Sequence, residues 1–242
     1  MKIFSVSLRV RFRLIKRVLY KLWLTSNQAK AKKFIKSVRY QARNAEEFHS
    51  PIILLSTFTR VEDFLVLSYL FREKELTFIS PSDLPKSKIF NIIFASNFVM
   101  VLDEKKIGFS FFRRLMLILR DFNRSLVISP SAAMRYMKGV TINPLVIAKL
   151  AMKTNVPIVP VVIKWLNSYG QNKIHRVMSR KCEVRIGKKM YVSPRTPEFK
   201  DLFFKRRGLR KFTSLTAEEY LEIGKRIFLR LEALDNSDGS SI

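Results

Sequence analysis

Apolar positions along this chain follow two rhythms, one with the period of a helix and one of short unbroken runs. Over residues 4–24, Leu8, Phe12, Ile15, Leu19 and Leu22 recur at helical spacing, with Arg9, Arg13, Lys16, Arg17 and Lys21 between them. Tyr20 and Trp23 stand near the far end. Residues 29–43 repeat the rhythm through Phe34, Ile35 and Val38 and predict a second helix. After a break at 44–51, residues 52–55 form an apolar run of strand type and 63–71 read as a helix. Residues 76–79 predict a strand, 81–85 a loop, and 92–94 and 99–102 two short strands. An amphipathic helix is predicted over 109–120 through Phe111, Phe112, Leu115, Met116 and Leu119, and a strand over 126–128.

Pro144 opens a helix over 144–152, and 158–163 is a β-branched strand with Pro160 inside it. Residues 183–186 and 189–192 flank Gly187 and Lys188 and predict a hairpin. A terminal helix is expected over 216–234, with Thr216 as N-cap and Glu218 and Glu219 in its first turn. Strands alternating with helices imply an α/β fold, a mixed and mostly parallel sheet flanked by helices. The expected division is a basic amphipathic helical segment at 1–48, an α/β domain at 49–235 and a frayed tail at 236–242.

Charge changes this picture more than composition does. An apolar fraction of 48% is enough for a sizeable core, but 46 Lys and Arg against 19 Asp and Glu leave a net +27. Solubility does not need so large an excess. It points to a polyanionic partner: an anionic membrane surface, nucleic acid or a phosphorylated substrate. No acid precedes Glu46, so the first amphipathic segment is wholly cationic. It fits a helix lying in a membrane interface, with Phe12, Leu19 and Trp23 down and Arg9, Arg13, Lys16 and Arg17 toward lipid phosphates. Docking on the domain core and a mitochondrial presequence are the two other readings of the same pattern. Nowhere does an apolar run reach the ~18 residues of a spanning helix. The expected location is therefore peripheral membrane, on a cytoplasmic face or mitochondrial. The single cysteine, Cys182, excludes an internal disulfide framework and a cysteine zinc site, and reads as a buried small hydrophobe. No glycine-rich phosphate loop is present. Neither a metal nor a cofactor is expected.

Residues 126–164 read LVISPSAAMRYMKGVTINPLVIAKLAMKTNVPIVPVVIK. This stretch resembles the second half of the glycerophospholipid (1-acylglycerol-3-phosphate) acyltransferase domain. There, a strand enters a Pro-Glu-Gly-Thr motif, and a helix later leads into a Val-Pro-Ile-Val-Pro-Val strand. Residues 156–161 match that last element. Upstream, PIILLSTFTRVEDFLVL at 51–67 resembles the family's strand, Asn-His-x-Ser-x-x-Asp motif and helix. Downstream, 182–194 resemble its later hairpin. The likeness spans roughly residues 50–235.

The resemblance implies acyl transfer from acyl-CoA or acyl-carrier protein to a lysophospholipid hydroxyl. A His general base takes the hydroxyl proton, and an Asp orients it. Asp63 fills the Asp position here, and Phe58 stands where the His belongs, preceded by Thr57 in place of Asn. Ser131-Ala132-Ala133 replace Glu-Gly-Thr. The family's phosphate-contacting Arg falls among Asp103, Glu104, Lys105 and Lys106. Ser131, Arg135, Lys105 and Lys106 remain as candidates for substrate contact. Neither His49 nor His175 has the spacing to replace the missing base. Asp63 also reads as a plain helix N-terminal acid.

Three functions follow. The chain is a catalytically degenerate relative at a membrane surface, an active enzyme with divergent residues, or a fold recruited into a larger ribonucleoprotein or organellar membrane assembly. Basic runs at 30–33 and 205–211, with Phe203, Phe204 and Phe212 nearby, motivate RNA or protein partners in the last case.

Overall fold

The computed structural model describes residues 28–41, 51–56, 61–81, 99–102, 108–129, 144–166, 181–204 and 215–237, together with Val18, Leu22, Thr25 and Ser26. Its centre is β2 (Ile53–Ser56), a strand buried along its whole length. Ile53 and Leu55 face one hydrophobic cluster and Ile52 and Leu54 the other. Covering both faces requires an unbroken apolar run rather than an alternating one, which is why the run was legible. Each such side chain contributes about 1.5–3 kcal/mol on burial.

Around β2 stand β1 (Ile35–Tyr40), β3 (Leu76–Pro81), β4 (Val99–Leu102), β5 (Ser125–Ile128), β6 (Ile158–Leu166) and β7 (Lys181–Ile186). The order across the sheet is β1-β7-β6-β2-β5-β3-β4. From β6 to β4 every pairing is parallel. β7 runs antiparallel to β6, and β1 follows β7. The expected mixed, mostly parallel α/β sheet is what forms.

Helices cover both faces. α1 (Val61–Leu70) lies on one, where Phe64, Val66 and Leu67 join the cluster of Ile52 and Leu54. The other face takes α2 (Phe109–Arg120), α3 (Pro144–Thr154) and α5 (Ala217–Asn236), with α4 (Lys200–Phe204) behind a 3-10 turn at Pro197–Phe199. The turn and α4 were not foreseen. α5 begins as its sequence dictates: Thr216 Oγ1 accepts the Glu219 N–H at 3.3 Å, and Glu219 Oε2 accepts the Thr216 N–H at 2.7 Å. It continues to Asn236, two residues past the expected end. The buried Arg185 of β7 donates from Nη1 to the carbonyls of Leu234 at 3.3 Å, Asp235 at 3.2 Å and Ser237. The Leu234 and Asp235 carbonyls are among those the last helical turn leaves unpaired, so this cation, with Ser237 Oγ donating to Leu234 at 2.9 Å, helps close the C-terminus.

Two expectations fail for the same reason, strand pairing across long sequence distance. Residues 28–34 are helical, but Ile35–Tyr40, expected to continue that helix, is β1. Ile35 pairs with Cys182 and Tyr40 with Ile186. The β-branched Ile35 and Val38 suit a strand as well as a helix face, and the open edge of β7 decides between them. Lys36 and Arg39 are exposed on the resulting sheet edge, where charge discourages further pairing.

The hairpin at Gly187 and Lys188 does not form either. Chain beyond β7 keeps running beside β6, and Met190 and Ile158 exchange both backbone hydrogen bonds at 2.8 Å. A tight two-residue hairpin needs positive φ at its centre, and no glycine among the described residues has it. Gly187 serves closeness instead: a Cβ there would stand 2.6 Å from Pro160 Cγ. Pro160 accepts the Gly187 N–H at 2.8 Å and has none to return, so the ladder loosens there without turning.

Candidate functional site

In open α/β sheets, ligands bind outside the carboxyl ends of the strands. The central pair here is β2 and β5, in register through Leu55 and Ile128. One residue further along each strand stand Ser56 and Ser129, both buried. Ser56 Oγ has no hydrogen-bond partner among the described residues. α1 begins five residues after Ser56 with Glu62 and Asp63 in its first turn, where the helix dipole favours carboxylates.

Asp63 is the expected catalytic residue that can be followed in detail. It is 2% exposed, and its Oδ1 accepts the indole N–H of Trp165 at 2.7 Å. Trp165 lies on β6, directly opposite Cys182 of β7. Phe34 packs edge-on against the indole, with centroids 5.7 Å apart and planes at 71°. The carboxylate is thus anchored toward the junction of β6 and β7, in an aromatic setting. A partly buried indole N–H is best satisfied by an acceptor, and Asp63 supplies one.

Cys182 completes this neighbourhood. It is fully buried, and burial together with the nearby Asp63 charge pushes its thiol up to about 12. A thiol held neutral in this way is not a nucleophile. Trp165 was absent from the sequence reading, although an indole just past the Val-Pro-Ile-Val-Pro-Val strand was a visible signal for a buried acceptor nearby.

The other expected residues lie outside the described part of the structure. They are Phe58 and Thr57, Lys105 and Lys106, Ser131, Ala132, Ala133 and Arg135, both histidines, and Arg9, Phe12, Arg13, Lys16, Arg17, Leu19 and Trp23 of the amphipathic segment. Two neighbours within that segment are described. Val18 and Leu22 are helical and 54% and 62% exposed. Among the described residues no cluster of His, Cys, Asp or Glu could hold a metal ion, and no helix is long and apolar enough to cross a membrane.

The sheet order and the helices packed on both its faces define an acyltransferase-like α/β fold. The chain is similar in structure to the 1-acyl-sn-glycerophosphate (LPA) acyltransferase PlsC from Thermotoga maritima, with a TM-score of 0.50 over 97% of this chain and 91% of that one. Sequence identity is 14%, so the likeness is one of fold. No protein-family model matches the chain, and no curated protein matches it in sequence.

Proposed function

We propose that this protein is an acyltransferase-fold protein of phospholipid metabolism that works at an anionic membrane surface without performing acyl transfer. The Asp63–Trp165 hydrogen bond carries the reading. In a His–Asp relay the carboxylate receives an imidazole N–H, fixes its tautomer and stabilises the imidazolium. Here an indole that can neither take nor give a proton in catalysis occupies Oδ1, and Phe58 stands at the base position in the sequence. Losing a general base lowers the rate by roughly 10²–10⁴. The sequence also lacks the Glu-Gly-Thr motif, which removes contacts to the acceptor. What remains is a scaffold whose acid has a structural use.

The membrane part draws on charge and on Leu22. A net +27 favours anionic lipid, and Leu22, one of the apolar stripe, stands exposed instead of docked on the core. The test is purified protein with anionic liposomes carrying lysophosphatidic acid and labelled acyl-CoA or acyl-carrier protein, beside Phe58→His and Asp63→Ala. The expected result is vesicle binding with no labelled phospholipid from the native chain. Product that disappears in Asp63→Ala would mean a working base exists and would overturn the non-catalytic reading. Absence of vesicle binding would turn the assignment toward recruitment into a larger assembly.

A further inference from the structure

The inner residues of α2, Leu115, Ile118 and Leu119, are buried in the core. Phe109, Arg113, Leu117 and Arg120 follow at spacings of four, four and three, so they form one stripe along its outer face, with Arg114 beside it. All five are exposed, Phe109 by 82%, and Phe122 in the following turn by 49%. A single exposed apolar residue needs no explanation. Three of them interleaved with three arginines do.

A solvent-facing helix usually mixes its charges. α5, in the same layer, offsets Lys225, Arg226 and Arg230 with Glu218, Glu219, Glu222 and Glu232. α2 carries no carboxylate, and neither does α3, which packs beside it and adds the exposed Lys149 and Lys153. The Lys149 ammonium lies 5.9 Å from the Phe112 ring of α2. The nearest acid in sequence, Asp121, stands at the C-terminal end of α2. Among the described residues, none of Arg113, Arg114 and Arg120 has a carboxylate partner. Gly108 gives α2 no side-chain cap and no acid stands in its first turn, so among the described residues no carboxylate of the helix itself offsets the positive end of its dipole.

We propose that the outer face of α2 is a docking surface for an anionic lipid bilayer. Arg113, Arg114 and Arg120 contact lipid phosphates, and Phe109, Leu117 and Phe122 enter the boundary between headgroups and acyl chains. The proposal rests on the membrane-surface reading above and adds a contact on the α/β domain itself, separate from the N-terminal segment. Lipid fits this face better than single-stranded nucleic acid, because Leu117 cannot stack on a base and sits in the middle of the stripe.

The test is sedimentation of the full chain with vesicles of phosphatidylcholine and phosphatidylglycerol in equal parts, and with phosphatidylcholine alone. The native chain is expected to bind only the first. Arg113→Gln with Arg114→Gln should weaken that binding roughly thirty-fold, from two cations each worth about five-fold at an anionic surface. Phe109→Ser should weaken it several-fold with no change of charge. Lys188→Gln with Lys189→Gln, an exposed pair elsewhere, removes the same charge and should change binding little. All these positions are exposed, and unchanged thermal unfolding confirms that the variants fold. Equal losses from the two double variants would overturn the α2 assignment and leave the membrane reading standing. Failure of the native chain to bind overturns both. A single-stranded RNA probe held in place of vesicles, and released by the α2 changes, would overturn the lipid assignment.

Discussion

Burial pushes the Cys182 thiol up to about 12, and the Asp63 carboxylate beside it adds to the shift. The ordinary value is 9.0, so the unfolded chain gives up this proton first as pH rises. Below 9.0 the thiol is protonated in both states and contributes no pH dependence. Between 9.0 and about 12 the unfolded state is favoured progressively, and stability falls. The urea midpoint should therefore decline from about pH 9 upward, and less so in Cys182→Ala. A thiol reagent at neutral pH should leave the native protein unmodified and label it once unfolded. Rapid native labelling would show that the neighbourhood of Trp165 and Asp63 is open, contrary to its burial.

α5 and α3 meet through Gly224. Glycine inside a helix ordinarily costs about 1 kcal/mol relative to alanine, so Gly224→Ala on propensity alone should stabilise. At this position a Cβ would stand 2.4 Å from the carbonyl carbon and oxygen of Pro144, backbone that cannot swing aside. Overpacking should win, and the variant should lose about 1–3 kcal/mol in urea unfolding. A gain would mean that the two helices can separate without cost. At this scale the sequence was most readable where signals are local. The bounds of α2 and the Thr216 cap were visible because helix periodicity and capping use residues three or four apart. β1 and the run past Gly187 were not, because Ile35 is claimed by Cys182 and Met190 by Ile158, partners that no short window contains. The candidate site divides in the same way. Asp63 was singled out as a candidate from a local motif, whereas its partner Trp165 lies 102 residues away.

For the whole molecule, net charge sets the reach of any attraction to lipid. A chain at +27 should bind anionic vesicles tightly at low salt and lose affinity steeply as salt rises. The screening length shrinks from about 10 Å at 0.1 M to about 3 Å at 1 M. Co-sedimentation across a salt series checks this; affinity that holds at about 1 M would mean that apolar insertion rather than charge dominates. The helical residues 28–34 pass into β1 at Ile35 with no residue between helix and strand. A coiled linker of n residues spans roughly 5–6 Å × √n and lets whatever it tethers tumble, and this junction has no such slack. Torque on that helix is therefore delivered to the hydrogen-bonded edge of the sheet. A surface gripping residues 28–34 themselves would fix how the sheet is tilted, as a rigid handle does, rather than merely keep it nearby.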